Sequence, residues 1–559
     1  MCHALLDMET DPEGRGPITK AGCLFKRNLD RICNSNASAI ETNMDLESPW
    51  DIEDLVQAGK KKRMCPYYAS RSLMSQAQII FCPYNYLVDP SIRKSMGISL
   101  KDNVIVFDEA HNIEDSMREA VSLSVDETKL EQAVIECQKL IFSGGGASYN
   151  VLEAVEAVFE ELNQSSQDDE EEIMDKPKSQ DVKIYQLNKP SQELKITATG
   201  LLLVWSYLFR KDLKYAEDFC VVLTEKSSRF FAEDESSTGW LRAPKVSAKV
   251  HLVLNFWCMN PAVAFADFSE AHSVIVTSGT LSPMSSFQSE LGIMFPHHLS
   301  TDHVIDPSQA WVASVACGPS GKEINGTYRN AITMEYQDEV GDAILKICQA
   351  VPFGVLCFFP SYTTLENIEP RRGGEFSDAM HNFDMAVKKA EVLFARGTGI
   401  PPGEQTGALF LAVFRGKLSE GIDFKDNHAR AVITVSIPFP SMSDLQVKLK
   451  KKYNDNNHLR TKQLLPGNQW YEIQAYRAIN QALGRCVRHK DDWGAIILLD
   501  NRFTAESKAT ASLSKWATKQ MKHYRCWDEM YDTLQHFMKT RSGIDTSNEM
   551  ETIYIDSDD

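Results

Sequence analysis

The feature that most constrains this chain is a set of four short apolar runs with helical segments between them. "GVLCFFPSY", "ALFLAVFRG", "RAVITVSIPFP" and "WGAIILLD" all lie beyond residue 350, and stretches such as "WYEIQAYRAINQALGRCVRH" separate them. Such brief apolar runs, rich in β-branched and aromatic residues, read as fully buried strands. Strands separated by helices need crossovers, which makes the sheet parallel and the fold α/β. Upstream, "NVIVFDEAHNIED" reads as a buried strand, a loop and a helix start. "HSVIVTSGTLSP" reads as a strand ending in small polar residues, and "SQAQIIFCPYNYLVD" (75–89) as a further strand and its exit. Two αβ units follow, one interrupted by a stretch from about 115 to 235 that reads as mostly helical. There, "SVDETKLEQAVIECQKLIF" has helical apolar spacing behind a serine or aspartate cap.

A chain of 559 residues exceeds one domain, and three or four are expected. No apolar run approaches the ~18 residues of a membrane span, and no basic-then-apolar leader is readable. The net charge of −18 argues against indiscriminate nucleic-acid binding. Acid is concentrated in "SSQDDEEEIMD" and the tail "EMETIYIDSDD", however, while "GKKKR" (59–63) and "KLKKKY" (448–453) leave room for a local basic track. The 13 cysteines, an odd number, fit a reducing compartment with free thiols and a candidate metal site.

Four motifs carry chemistry, each with a bland alternative. At the end of its strand, Asp108 is placed to hold Mg²⁺ through waters, Glu109 to orient an attacking water, and His111 to couple the nucleotide to neighbouring loops; the alternative is an acidic strand end and helix cap. In "VTSGTLSP", Thr277, Ser278, Gly279 and Thr280 form either a hydroxyl bridge between two sites or a serine-rich turn. In "FRGKLSEGIDFKD", Gly421 permits close backbone approach, and Glu420 and Asp423 are candidate contacts to ribose, water or arginine; an exposed polar loop is the alternative. In "QALGRCVRH", Arg485 and Arg488 share one face if helical, with Gln481 a turn earlier. Such a guanidinium pair stabilises a transferring phosphoryl group, or else decorates a solvated helix.

The order of these motifs, with "CFFPSY" between them and "KDDWGAIILLDNRF" after them, resembles the iron–sulfur superfamily 2 DNA helicases, the group around the xeroderma pigmentosum group D helicase. "VHLVLNFWCMNPAVAF", "NHARAVITVSIPFPSMSDLQVKLKKKYND" and "LLPGNQWYEIQAYRAINQALGRC" look closest to one member. The resemblance implies two RecA-like parallel-sheet lobes closing on ATP and Mg²⁺. It divides the chain into a partial iron–sulfur segment (1–75), a first lobe (76–115 and 236–300), an Arch-like helical insertion (116–235), a second lobe (301–540) and an acidic disordered tail (541–559). It implies 5′-to-3′ movement on single-stranded or forked DNA, held by basic side chains and by stacking on aromatics such as Tyr84 and Tyr86. It also implies a nuclear place in the repair of crosslinks and secondary structures, with DNA-repair proteins as candidate partners and no membrane.

The resemblance further assigns Cys2, Cys23 and Cys65 to a [4Fe–4S] cluster whose first ligand would precede Met1, with Cys33 a less favoured substitute. No glycine-rich phosphate loop precedes the DEAH strand, and the chain after "CFFPSY" is shorter than the family pattern by a strand. The expectation is a truncated or spliced product with severely impaired ATP hydrolysis. The alternative is a non-catalytic fragment that binds DNA or a partner by occupancy.

Overall fold

The computed structural model describes residues 23–33, 38–46, 49–142, 192–210, 213–231, 246–281, 283–300, 303–368, 376–395, 404–416, 424–460, 464–543 and 551–556. The chain divides into two compact units, Met1–Leu100 and Lys101–Asp559.

In the first unit, helices Leu24–Cys33, Ser38–Met44, Ile52–Lys62 and Pro66–Leu73 pack around Leu29, Ile40, Met44, Leu55, Met64, Ala69 and Leu73. Asp51 and Asp54 form a capping box at the start of Ile52–Lys62. Lys60, Lys61 and Lys62 occupy its last turn, where the helix dipole favours cations, and Arg63 closes it in the left-handed conformation. The strand expected in 75–89 does not form. Its place is taken by a 3₁₀ turn (Met74–Gln76), a stretch without regular structure that bends at Gln78 and Ile79, and a short helix (Tyr84–Val88). Ile79, Ile80 and Phe81 are 73, 48 and 94% exposed. A strand needs a partner ladder, and among the described residues this unit contains no other strand.

The second unit begins with strand β1 (Val104–Phe107). Then come β2 (Leu123–Asp126), β3 (Phe219–Phe231), β4 (Val246–Cys258) and β5 (Ser273–Val276). β1 and β5 pair in parallel as a two-stranded sheet. Its inner face, with Phe107, packs edge-on against Phe268 and also meets Phe265. The other face carries Val104, Val106 and Ile275, at 57, 54 and 50% exposure. The expectation of a buried DEAH strand is therefore corrected to a half-buried one, because among the described residues helical cover exists on one face only. The region read as mostly helical also contains strands β2 and β3, which with β4, beyond that region, make an antiparallel sheet in the order β2-β4-β3. "FCVVLTE" is a short apolar run with two β-branched valines, a strand signal outweighed by the long helices Glu127–Phe142 and Gln192–Leu208 that precede it. One of those helices, Glu127–Phe142, forms as expected, with Asp126 accepting the N–H of Thr128 at 3.1 Å. The segments 143–191 and 232–245 lie outside the described residues.

The remaining strands are β6 (Ala310–Val315), β7 (Phe353–Phe359), β8 (Gln405–Val413), β9 (Ala431–Val435), β10 (Gly494–Leu499), β11 (Met521–Tyr524) and β12 (Glu551–Asp556). They form one parallel sheet in the order β11-β6-β10-β9-β7-β8-β12. Successive side chains of β7 enter opposite cores. Leu356 and Phe358 join Phe383, Phe410 and Ile479 beneath helices Phe376–Ala395 and Gly467–Leu483. Val355, Cys357 and Phe359 join Val340, Ile347 and Met530 beneath Met334–Ala350 and Trp527–Ser542. Cover on both faces is what makes these strands read as continuous apolar runs. Although the chain after "CFFPSY" is short, β7 pairs directly with β8 and β9, so both of its edges are occupied. The tail expected to be disordered supplies β12, parallel to β8. "TIYI" has strong strand propensity, and β8 would otherwise present an open edge. No helix among the described residues is long and apolar enough to cross a membrane.

Candidate functional site

The ends of β1 and β5 are tied together by main-chain bonds. Thr277 N–H donates to Phe107 O at 2.8 Å, and Ala110 N–H donates to Thr277 O at 3.0 Å. This closure turns the chain sharply, and Glu109 takes the left-handed conformation at φ 47°. A non-glycine residue there is strained, and such strain collects at functional sites.

The turn brings three polar side chains together. Ser278 Oγ donates to Glu109 Oε2 at 2.8 Å and accepts the Thr280 N–H at 3.2 Å. His111 Nδ1 lies 3.1 Å from the same hydroxyl and 3.2 Å from Glu109 Oε2. A hydroxyl has one proton to give and two lone pairs. With that proton on Glu109, the Nδ1 of His111 must carry its own proton and donate. Glu109 is consequently held as a carboxylate, its pKa lowered to about 2. The hydrogen bond from His111 contributes most, burial opposes it, and the bond from Ser278 and the charges of His111 and Arg485 add to it. Arg485 thus lies near enough for its charge to act on Glu109. Asp108 is exposed beside this group, and among the described residues its carboxylate has no hydrogen-bond partner.

Arg485 and Arg488 are not on a helix. Helix Gly467–Leu483 ends at Gly484, and Arg485 and Cys486 continue as a tight turn, with N–H groups on the carbonyls of Ala482 and Leu483. The buried Cys486, facing the carbonyls of Ala429 and Ala495, pulls the chain toward β10 and prevents another helical turn. Gln481 occupies the last helical turn, Arg485 is half-buried, and Arg488 is exposed. Next to them, Asp426, His489 and Asp492 cluster within 4.8 Å. Arg430 already holds Asp492 at 2.8 Å, which makes the group an ion-pair network.

Two buried ion pairs join the same two halves of this unit. Glu114 pairs with Arg477 at 2.8 Å, and Glu290 with Lys450 at 2.5 Å. Burial pushes the Glu114 carboxyl up to about 7. Arg477 opposes this, and the like charges of Glu290 and Asp115 reinforce it. The sequence reading missed all four residues. It had placed Lys450 in the basic run "KLKKKY", yet Lys450 is 1% exposed and also donates to Met259 O at 2.7 Å. The available signal was Arg477 itself, a lone charge in the apolar stretch "AYRAI" with Gln481 one turn later on the same helix.

In the first unit, Cys23 and Cys65 each immediately precede a helix, and the N–H of Cys65 donates to Phe25 O at 3.1 Å. Two free, half-buried thiols therefore stand on adjoining segments. Cys2, Glu420, Gly421 and Asp423 lie outside the described residues.

Parallel sheets that bring an acidic turn toward an arginine turn define a protein of the helicase type. The DEAD_2 family matches residues 2–130, and the helicase C-terminal domain family matches residues 344–520. The chain belongs to the xeroderma pigmentosum group D-like superfamily 2 helicases. It is 40% identical to the Fanconi anemia group J protein homolog of Gallus gallus, over 94% of this chain and 47% of that protein. It is 33% identical to the regulator of telomere elongation helicase 1 homolog of Oryza sativa subsp. japonica, over 97% of this chain and 60% of that protein. The corresponding homolog of Drosophila melanogaster is 32% identical, over 84% and 54%. The chain thus spans about half the length of the curated relatives it matches. A solved structure described as XPD helicase is similar at a TM-score of 0.45 and 20% identity, covering 84% of this chain and 78% of that one.

Proposed function

We propose that this chain belongs to the core of a DNA-repair helicase that uses ATP and Mg²⁺ to move 5′ to 3′ along single-stranded DNA in the nucleus, with ATP hydrolysis by these 559 residues alone severely impaired. The observation that carries this reading is the Glu109 carboxylate, kept ionised by His111 and Ser278 and within reach of the charge of Arg485. Asp108 would hold Mg²⁺, which would offset phosphate charge. A carboxylate titrating at about 2 is a weak base, so Glu109 orients the attacking water and opposes its positive side rather than taking its proton. Gln481, Arg485 and Arg488 meet the phosphates from the opposite side and spread the transferring charge. Ser278 and Thr280 link this centre to the strand end that faces DNA. In the first unit, Cys23 and Cys65 fit a cluster, being free thiols on adjoining segments at helix starts. With Cys2 they would hold iron and sulfide, which would staple the helices of that unit.

These 559 residues contain no glycine-rich loop ending in Lys-Ser or Lys-Thr. That observation favours a second reading, in which the chain binds DNA without turnover. Filter binding of labelled single-stranded DNA, with and without Mg-ATP, separates the two. On the first reading, nucleotide changes the affinity and Glu109→Gln abolishes the change. An affinity indifferent to nucleotide leaves the binding fragment. Iron content and a visible absorption band, compared between the parent chain and Cys65→Ser, test the cluster.

A further inference from the structure

Arg477 is buried, and its guanidinium fork touches both segments that carry the acidic site. Nη1 meets Glu114 Oε1 at 2.8 Å, in the first turn of the helix that follows the Asp108–Asn112 turn. Nη2 donates to Ser286 Oγ at 3.0 Å. Ser286 in turn donates to Pro283 O at 2.8 Å, the residue that ends "TSGTLSP". The guanidinium also lies 6.0 Å from the ring of Phe287. Arg477 is on the same helix as Gln481, one turn earlier, and that helix leads directly into the Arg485 turn. One planar group therefore holds the helix that follows the Glu109 turn and the helix that follows the Ser278 loop, and refers both to the arginine side. A guanidinium can make these two contacts at once, whereas an ammonium is a single point donor.

We propose that Arg477 is a positioning residue for the nucleotide cleft: its fork sets the Glu109 turn and the Ser278 loop at one distance from Gln481 and Arg485. The inference rests on the cleft reading given above. A buried ion pair contributes little net stability but penalises every arrangement that separates its members, which is the property a fixed spacing needs. The second buried pair, Glu290–Lys450, joins the helix after the Ser278 loop to helix Leu445–Asn457 and acts in the same direction.

The test is amide hydrogen exchange of the full chain without nucleotide, read on peptides covering 107–112, 277–281 and the β9 and β10 core. Arg477→Met is expected to speed exchange at least tenfold in both loops and to leave β9 and β10 within twofold of the parent. Arg477→Lys, a gentler change that keeps the charge, is expected to loosen 277–281 while largely sparing 107–112. Glu114→Gln is expected to do the reverse. Unchanged exchange in both loops of Arg477→Met, or faster exchange spread equally into β9 and β10, overturns the proposal. Because no nucleotide is present, failure of Mg-ATP to protect these loops in the parent chain would count against the cleft reading alone.

Discussion

Ser278 gives its hydroxyl proton to Glu109 across 2.8 Å, joining residues 169 positions apart in the chain. Among the described residues, the two strand ends that meet there belong to a sheet of two strands, so this bond and its partner from His111 hold the acidic turn in a shape that strands alone would not impose. The consequences can be measured at each contact.

Ser278→Ala removes the donor to Glu109 and the acceptor for Thr280 and His111. The titration of Glu109 is expected to move up from about 2 toward the usual carboxylate range, read by carbon-13 NMR of labelled glutamate. Stability is expected to fall by only about 1 kcal/mol, because the site is open to water. In the parent, any stability from Glu109 is present above its ordinary pKa and is lost only as the pH falls toward 2.

Glu114 carries the opposite sign. Its folded-state pKa of about 7 exceeds the ordinary value, so its contribution is fully present below about pH 4.5 and is lost as the pH rises through 7. The groups acting on it are Arg477, Glu290 and Asp115, with Arg118 and Lys450 in the same buried network. Between pH 5 and 8, urea unfolding of the parent is expected to lose up to about 3 kcal/mol relative to Glu114→Gln, which does not titrate there. Parallel pH profiles for the two proteins would contradict this.

Lys450→Met strands the Glu290 carboxylate inside the protein, with Asn454, at 2.9 Å, as its remaining hydrogen-bond donor among the described residues. A loss of about 3–5 kcal/mol is expected. Combining it with Glu290→Gln is expected to recover much of that, a coupling read from a double-mutant cycle in urea.

Removing residues 551–559 strips β12 from β8 and leaves a parallel edge of apolar residues without a partner. The shortened chain is expected to self-associate in sedimentation velocity at concentrations where the parent does not.

Strands β7, β8, β9 and β10 were legible in the sequence because they are covered on both faces and so are short apolar runs with helical segments among them; β6 and β11 went unread. The DEAH strand was legible as a strand but not as half-exposed, since a run such as "VIVF" looks the same whether one face is covered or two. Ile79, Ile80 and Phe81 show the converse: strand propensity without a ladder left them irregular and exposed. Within the site, Glu109, His111, Ser278 and Thr280 could be named from their motifs, and the structure brings them together. The helical face assumed for Arg485 and Arg488 failed because Gly484 ends the helix and the burial of Cys486 redirects the chain. Lys450 was misplaced because a lysine among lysines gives no sign that its neighbours in space are Glu290, Met259 O and aromatic rings.

What the sequence determined by itself was local: which segments are strands and helices, and which chemical groups stand at their ends. Periodicity and turn chemistry act over a few residues and are written in the chain. Tertiary structure alone decided which charges are buried and what they face. The ion-pair partners that offset the cost of desolvating Glu114, Arg477, Glu290 and Lys450 lie 160 or more residues away along the chain, and no local pattern records that distance.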